Sequence, residues 1–334
     1  MMAIISASSV EKIFRQPKRQ AGFGGSIRGL FSRDFTEIRA VDGISFTIQP
    51  GEAVGYLGPN GAGKSTMIKM MTGILVPSSG TVQVLGREPH TNRITNAAEI
   101  GVVFGQRSQL WWDLPVRDSF DLNRHIYDIP TARFADNLAR LTTMLDMASY
   151  IDRPVRQLSL GQRMRAEIAM ALLHDPKILF LDEPTIGLDV VAKDTVRKFL
   201  AEVNRDRGTT IILTTHDLVD IEEICPRLIM VDDGKLLFDG ELKHLRQTLG
   251  SRRRLKLEFG TDPGPITLKT AELVTDEGAA KHFLLENEQT SILDVLTELG
   301  SGHDLTDIKL EEPNIEEVIR TFYQNKPALA GARP

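Results

Sequence analysis

Short apolar stretches, each ended by glycine, proline or a polar residue, recur along the first two thirds of the chain. Two of them, residues 4–14 and 38–48, nearly alternate between apolar and polar positions, which predicts two strands paired as an antiparallel edge. The others are shorter and mostly apolar, as buried strands are, and we predict strands at residues 53–57, 80–86, 100–104, 178–183 and 208–215. The pattern is that of an α/β protein with an antiparallel β edge.

From about residue 115 the apolar spacing changes from the period of a strand to that of a helix. Four apolar residues stand at i, i+4, i+7 and i+11 and so share one face: Phe134, Leu138, Leu141 and Leu145. We therefore predict a helical insert at about 115–160 within the α/β domain, and a further helix at about 162–173.

Residues 15–37 interrupt the antiparallel pair and are rich in glycine and basic residues. Over residues 11–39, seven basic residues face three acidic ones. Ile27, Leu30, Phe31 and Phe35 fall at helical spacing. Two interpretations stay open: a basic amphipathic helix at a membrane surface, or a solvated loop that packs two aromatic rings on its own domain.

The chain beyond about residue 250 has a pattern of its own. Residues 255–259 alternate as a strand does, and we predict another strand at 305–310 and helices at 291–299 and 315–323. The prediction is a first domain over 1–245, a small α+β C-terminal domain over 250–325, and a disordered tail at 326–334.

Composition narrows the class of protein. The net charge of −5 argues against a general nucleic-acid binder, whose domain is usually basic. Cys225 is the single cysteine, so no intramolecular disulfide forms, which suits a reducing compartment. No apolar run approaches the ~20 residues of a membrane span, and the N-terminus lacks the basic flank of a secretion signal. We expect a cytoplasmic protein that reaches a membrane only through another chain.

One stretch carries a phosphate-binding pattern, G-x-x-x-x-G-K-[ST], between a predicted strand and a predicted helix. We expect its glycines to adopt positive φ so that backbone N–H groups point at phosphate oxygens. Lys64 supplies a point charge for the phosphates and Ser65 a hydroxyl for Mg²⁺. The residues are Gly58, Pro59, Asn60, Gly61, Ala62, Gly63, Lys64, Ser65 and Thr66. The stretch therefore predicts a nucleoside triphosphate site.

Polar side chains end three of the other predicted strands. Asp182 and Glu183 close one strand, Gln106 follows another, and His216 follows a third. A carboxylate at such a strand end is placed to hold Mg²⁺, and the next carboxylate can activate water. Taken alone, His216 is more often a structural histidine, and the two carboxylates could be a solvated strand end. Together with the phosphate loop, these residues favour a catalytic site.

Six motifs in this order and spacing resemble the ATP-binding cassette (ABC) nucleotide-binding subunit, over about residues 4–240. They are the phosphate loop at 58–66, the Q-loop residue Gln106, the signature Leu158-Ser159-Leu160-Gly161-Gln162, the Walker B strand at 178–183, the D-loop Ile186-Gly187-Leu188-Asp189, and the switch residue His216. The resemblance implies a phosphate-loop NTPase core that hydrolyses ATP with Mg²⁺.

The resemblance also implies roles and partners. Two cassettes would meet head to tail, each ATP lying between the phosphate loop of one and the signature of the other. Glu183, His216 and Lys64 would be catalytic, and Ser65, Gln106 and Asp182 would bind the metal. Beyond the phosphate loop, the implied ATP contacts are Phe14, Gln106, Ser159, Gly161, Gln162 and Asp189.

Two positions depart from the family pattern or leave it ambiguous. Leu160 stands where the signature usually has glycine, which puts closure of the pair in question. Adenine stacks in this family on an aromatic ring after the first strand; Phe14 fits best, Phe35 is the competing candidate, and an ordinary core phenylalanine is the alternative for either.

The tail and the segment 109–115, with Trp111 and Trp112, resemble the bacterial drug and lipid exporter branch. The two rings would either pack the insert or form a groove for a membrane permease. We therefore expect an ATPase at the cytoplasmic face of the inner membrane, most simply a homodimer held there by a separately encoded permease. An importer subunit is the main rival. A soluble ABC ATPase acting on nucleic acid or ribosomes is the alternative from another class, and the single cassette argues against it.

Overall fold

The computed structural model divides the chain into two compact units, Met1–Leu242 and Lys243–Pro334. The structure describes residues 2–17, 35–105, 107–248, 253–285, 290–300, 302–311 and 315–324. Among these residues, no helix is both long and apolar enough to cross a membrane.

The first unit contains nine strands, seven α-helices and one short 3-10 helix (Val155–Gln157) within its described residues. The strands are β1 (Ile5–Pro17), β2 (Phe35–Ile48), β3 (Ala53–Leu57), β4 (Ser79–Val84), β5 (Ile100–Phe104), β6 (Ile178–Asp182), β7 (Thr210–Thr214), β8 (Arg227–Asp232) and β9 (Lys235–Glu241). The helices are α1 (Lys64–Met71), α2 (Arg93–Ala97), α3 (Val116–Ile126), α4 (Thr131–Met144), α5 (Leu160–Leu172), α6 (Val190–Arg207) and α7 (Leu218–Ile224).

A six-stranded sheet in the order β5-β6-β7-β3-β8-β9 forms the centre of this unit. Its first five strands are parallel, and β9 pairs with β8 in the antiparallel sense. All five residues of β3 and of β7 are buried, which explains their continuous apolar sequences. Since parallel strands end at one edge, the polar residues after β3, β5, β6 and β7 meet there.

The predicted antiparallel edge is confirmed, because β1 pairs with β2 and with β4 in a separate three-stranded sheet. Apolar residues from this sheet, from α1 and from the central sheet form one core; they include Ile5, Ile44, Val54, Met67 and Phe180. A fully buried side chain of this size stabilises the fold by about 1.5–3 kcal/mol. This core fixes α1, and with it the phosphate loop, between the two sheets.

The strands of the edge extend further into the basic insertion than predicted. β1 continues to Pro17 and β2 starts at Phe35, which pair with each other across the sheet. The helical position given to Phe35 is therefore wrong: local alternation and pairing with β1 override the helical spacing. Ile27, Leu30 and Phe31 lie outside the described residues.

The predicted helical insert is confirmed as α3 and α4. Phe134 and Leu141 of α4 are buried, as are Val116 and Phe120 of α3. The apolar residues whose spacing predicted a helix thus form part of the face by which the insert packs.

The second unit has a four-stranded antiparallel sheet in the order β11-β12-β10-β13. Its elements are α8 (Leu242–Thr248, which begins at the boundary), β10 (Arg254–Phe259), β11 (Ala271–Glu277), β12 (Ala280–Leu285), α9 (Ile292–Leu299), β13 (Leu305–Glu311) and α10 (Ile315–Gln324). The sheet and α9 contribute to one apolar core that includes Leu255, Leu257, Phe283 and Val295. The predicted strands 255–259 and 305–310 and both predicted helices are confirmed. The predicted tail at 326–334 lies outside the described residues.

Candidate functional site

The phosphate loop connects β3 to α1 and is closely packed at its glycines. Gly61 and Gly63 have φ of 86° and 96°, which an L side chain rarely adopts. A Cβ at Gly63 would lie 2.1 Å from the carbonyl oxygen of Ala40 in β2. Gly58 does not have a positive φ, contrary to our expectation; it is needed because a Cβ there would lie 2.3 Å from the carbonyl oxygen of Val231.

Lys64 is buried at the start of α1 with its amine turned back onto the loop. Nζ donates hydrogen bonds to the carbonyl oxygens of Gly58 at 2.6 Å and Pro59 at 3.1 Å. Burial lowers the pKa of Lys64, and the nearby Glu183 and Asp182 carboxylates oppose that shift. The Lys64 ammonium group is therefore held at the loop by carbonyl oxygens. Phosphate oxygens can replace these carbonyl oxygens as its hydrogen-bond partners.

Ser65 and Asp182 meet although they lie far apart in the sequence. The Ser65 hydroxyl donates to Asp182 Oδ1 at 3.2 Å, and the Thr214 hydroxyl donates to the same oxygen at 2.6 Å. Asp182 ends β6 and Thr214 ends β7, so the parallel register brings them together. Thr66 lies beside Ser65 in the first turn of α1.

Glu183 and His216 form a close pair beyond the same strand ends. Glu183 Oε1 lies 2.6 Å from His216 Nε2. The backbone of Glu183 is left-handed, with φ of 56°, and its N–H donates to the carbonyl oxygen of Thr214 at 2.9 Å. Such a φ is unusual for a non-glycine residue and is typical of functional positions. The turn it makes aims the carboxylate at the imidazole.

A cavity of about 490 Å³ collects these side chains at the edge of the sheet. Its lining residues are Asn60, Ser65, Lys69, Ile74, Phe104, Gly105, Arg107, Asp182, Glu183, Ile186 and His216. Lys69 and Arg107 were not among the predicted site residues. Arg107 could have been found, because it follows a strand that ends at the same edge as Asp182. Gln106, its predicted neighbour in the site, lies outside the described residues.

A buried polar cluster supports the cavity from behind. The carboxylate of Asp220, in α7, accepts hydrogen bonds from Thr185, from Thr215 at 2.8 Å and from Arg197 Nε at 2.6 Å. Thr185 follows Glu183 by two residues, and Thr215 directly precedes His216. Asp220 therefore joins the two turns that present Glu183 and His216. No periodic pattern in the sequence predicts this cluster.

The signature residues are not among those that line the cavity. Ser159 caps α5: its hydroxyl accepts from the Gln162 N–H at 3.2 Å, and the Gln162 side chain accepts from the Ser159 N–H at 3.0 Å. Gly161 faces Ala192 of α6, where a Cβ would lie 3.0 Å from the Ala192 Cβ. Asp189 caps α6 by accepting from the Ala192 N–H at 2.8 Å. The two helix starts thus lie together, and neither capping residue lines the cavity of its own chain.

Comparison with known proteins assigns the family. The family model described as ABC transporter matches residues 41–186. The Nod factor export ATP-binding protein I of Paraburkholderia xenovorans (strain LB400) is 35% identical over 243 residues, which are 72% of this chain and 79% of that protein. The chain belongs to the ABC transporter ATP-binding family. It is accordingly an ATP-binding ATPase subunit of an ABC transporter.

Relatives of this ABC subunit differ in the direction of transport that their names give. The methionine import ATP-binding protein MetN 2 of Bacillus licheniformis is 31% identical over 290 residues, covering 86% of this chain and 80% of that protein. An import protein and an export protein are therefore both similar to this chain. Membership of the family leaves the direction of transport to be proposed.

Solved structures of ABC cassettes share the fold. The cbiO1 protein of Clostridium perfringens, part of the transporter complex cbiONQ, has a TM-score of 0.60 and 27% identity over 73% of this chain and 90% of that one. A dimeric ATP-binding cassette in a post-hydrolysis state, bound to ADP and Pi, has a TM-score of 0.59 and 24% identity over 71% and 98%. These neighbours are cassettes that form dimers or belong to multi-subunit transporters.

The two aromatic candidates for adenine both lie in the edge sheet of the ABC subunit. Phe14 of β1 is opposite Ile38 of β2, and Lys12 Nζ lies 5.4 Å from the Phe14 ring centroid. Phe35 begins β2 and is exposed. Neither ring lines the described cavity, so the choice between them stays a prediction.

Proposed function

We propose that this ABC subunit hydrolyses ATP as one half of a head-to-tail pair of identical chains, and that the pair energises export through a separate membrane permease on the cytoplasmic side. The observation that carries the catalytic part is the cavity in which Ser65, Asp182, Glu183 and His216 converge. They come from three different motifs of the sequence, and the parallel sheet brings all four to one edge.

The residues fit a magnesium nucleotide. Ser65 Oγ and Asp182 Oδ1 are within hydrogen-bond distance of each other and face the cavity, and Mg²⁺ prefers such hard oxygen ligands together with phosphate oxygens and water. When bound, the ion would neutralise charge on the phosphates. Lys64 would exchange its bonds to Gly58 and Pro59 for bonds to phosphate oxygens.

Glu183 is the proposed general base. Its carboxylate faces the cavity and contacts His216 at 2.6 Å, so the imidazole can orient it toward a water molecule near the last phosphate. His216 would then hold both the carboxylate and the γ phosphate. Asp220 keeps the two turns in place through Thr185 and Thr215.

The position of the signature supports the pair of chains. Ser159 caps an exposed helix start beside the D-loop, and neither Ser159, Gly161 nor Gln162 lines the cavity of its own chain. Apolar side chains around them are exposed; they include Leu160, Ile186, Val190 and Val191. A second copy would cover this surface and receive the signature at its own ATP.

The permease contact is proposed at Trp111 and Trp112. Both rings are more than half exposed, 56% and 54%, which argues against the alternative that they only pack the insert. Similarity to a Nod factor export protein supports export. Similarity to a methionine import protein supports an importer subunit as the second candidate. Transport into or out of membrane vesicles that contain the subunit and its permease distinguishes the two.

Glu183→Gln tests the catalytic assignment. The amide keeps the size of the side chain but removes the basic charge, so steady-state ATP turnover should fall by about 10² or more while ATP binding persists. ATP-dependent dimers should accumulate in size-exclusion chromatography. Glu202→Gln, which changes an exposed carboxylate on α6, is the matched control. Near-normal turnover by Glu183→Gln would contradict the assignment.

A further inference from the structure

Glu167 is a buried carboxylate in the middle of the signature helix α5. Its exposed fraction is only 4%. Oε1 accepts hydrogen bonds from the Ser108 hydroxyl and from the Gln109 N–H at 3.1 Å, and Oε2 accepts from the same N–H at 3.0 Å. The Leu110 N–H lies 3.4 Å from Oε1. The donors all come from one short segment, residues 108–110, which we call the Q-loop exit.

A buried carboxylate in the middle of α5 lowers the stability of the fold unless its hydrogen bonds hold another part of the chain in position. Burial raises the pKa of Glu167, and the hydrogen bonds from Ser108, Gln109 and Leu110 oppose that rise. An apolar residue would fill the helix interior at lower cost, since buried ionic groups seldom add net stability. What the carboxylate provides, and an apolar side chain would not, is directed bonding to the Q-loop exit.

The Q-loop exit lies directly after one wall of the ATP cavity. Phe104, Gly105 and Arg107 line that cavity, and Ser108 is the next residue. Glu167 belongs to α5, and therefore connects the Q-loop exit to the helix that starts at the Ser159 cap. Because an α-helix moves as a rigid element, a displacement of the Q-loop exit reaches Ser159 through Glu167.

We propose that Glu167 is a positioning residue that makes the Q-loop exit and the signature helix move together. ATP in the cavity of one chain then sets where that chain presents Ser159 to the nucleotide of the second copy. This inference rests on the head-to-tail pair proposed above. It gives the two ATP sites of the pair a defined mechanical connection within each chain.

The chain carries its own reporter of this connection. Its two tryptophans, Trp111 and Trp112, directly follow the Q-loop exit and are exposed. The backbone N–H of Trp111 also donates a hydrogen bond to the Ser119 hydroxyl at 3.2 Å. Intrinsic tryptophan emission therefore reports on this segment without a label.

The experiment compares full-length wild type with Glu167→Gln, Ser108→Ala and the double variant. The Gln amide keeps the shape but turns an N–H₂ donor toward the donors of the Q-loop exit. Magnesium ATP is titrated by calorimetry and by tryptophan emission, and kcat and KM are measured on the same preparations. Glu202→Gln is the control for loss of one negative charge.

We expect Glu167→Gln to bind ATP with unchanged affinity, to lose the ATP-dependent emission change, and to have a kcat lower by about tenfold with little change in KM. Ser108→Ala should shift kcat in the same direction by less. Because both variants break one link, the double variant should resemble Glu167→Gln rather than combine the two losses.

Three results would overturn the proposal. They are a normal kcat and emission change in Glu167→Gln, losses that multiply in the double variant, and a wild type that binds ATP with no emission change. If Glu167→Gln loses ATP binding and thermal stability together while Ser108→Ala matches wild type, the role is structural support alone and the proposal also fails. Failure of the proposed function differs, because wild type itself would then lack ATPase activity or keep full activity as a monomer.

Discussion

Asp220 shows how a single buried residue supports the site without lining it. Its side chain is fully buried and ion-paired with Arg197, and it accepts from threonines next to Glu183 and next to His216. The 2.6 Å contact between Glu183 and His216 therefore depends on a carboxylate in α7. At the residue scale, the Asp220 carboxylate thus supports both the geometry of the catalytic pair and the stability of the fold.

Removing this carboxylate should affect both properties. Asp220→Ala leaves Arg197 with only Asp217 as an acidic partner and removes the buried acceptor of Thr185 and Thr215. Breaking a buried ion pair destabilises a protein by up to about 3–5 kcal/mol. We expect a lower midpoint in chemical denaturation and a lower kcat in the molecules that stay folded. Asp194→Ala, which breaks the exposed pair with Lys198 on α6, is the control and should change neither measurably. Equal effects of the two variants would contradict the supporting role of Asp220.

Individual residues also mark the limit of prediction from the sequence. Lys64, Ser65, Asp182 and Glu183 were predicted because their motifs have fixed spacing. The structure places Ser65, Asp182 and Glu183 in the lining of one cavity, and the Lys64 amine on the adjoining phosphate loop. Gly58 was assigned the wrong physical reason, since its tight contact is with Val231 in a distant strand. Contacts between residues far apart in sequence leave no periodic trace, so the environments of Asp220 and Glu167 could not be foreseen.

The helix α5 is the element that connects the catalytic motifs. The helix begins at a reciprocal cap formed by Ser159 and Gln162. In its first turn, Leu160 is 38% exposed and lies beside Gly187 of the D-loop. In its middle, Glu167 accepts hydrogen bonds from the Q-loop exit. Leu160 stands where the family usually has glycine. Since Leu160 contacts the D-loop of its own chain, signature and D-loop present one joint surface to a partner.

A substitution at the start of α5 tests the composite site. Ser159→Asp keeps a good helix cap, so the fold should be retained, but it adds a negative charge where the phosphate of the opposite nucleotide is expected. We expect hydrolysis to be lost and ATP binding to the single chain to persist. Circular dichroism and ATPase assays on one preparation check both parts.

Mixing variants sharpens this test. A Ser159→Asp chain paired with a Lys64→Ala chain has both lesions at one nucleotide and neither at the other, so activity should return relative to either variant alone. No recovery on mixing, or full activity in a strictly monomeric wild type, would argue against sites shared between chains.

The elements themselves were predicted unevenly. The buried strands β3, β5 and β6 and the helices of the insert have clear apolar periods and were found within a few residues. The edge strand β11 was missed, because after its first residue every position is exposed and no alternation results. Exposure on both faces removes the signal on which strand prediction depends.

At the scale of the whole molecule, the proposed contact with a membrane permease depends on one exposed segment next to the ATP cavity. The segment that joins the cavity wall to the insert presents Trp111 and Trp112 to solvent, between the strand end at Phe104 and the signature helix. A partner bound there would contact the segment that Glu167 joins to α5. Binding of the permease and the state of the ATP site would then influence each other to the same degree.

Replacing both tryptophans with alanine should weaken co-purification with the permease while ATP binding and melting temperature stay near wild type. Aromatic anchors at interfaces are worth about 2–4 kcal/mol each when truncated, enough to detect in a pull-down. Leu122→Ala, on the exposed part of α3, is a control for loss of apolar surface. A folded double variant that still co-purifies fully would remove these rings from the permease contact.

The position of β3 in the central sheet has a consequence for biosynthesis. This strand, which leads into the phosphate loop, lies between β7 and β8, with Ala53 opposite Ile211 and Gly55 opposite Leu228. Both neighbours are synthesised long after the loop has left the ribosome, and closing so long a stretch of chain is slow. The nascent chain therefore carries the complete phosphate loop without both neighbours of β3 while residues 67–232 are synthesised. Nucleotide in the cell can stabilise this unit only once β8 has emerged.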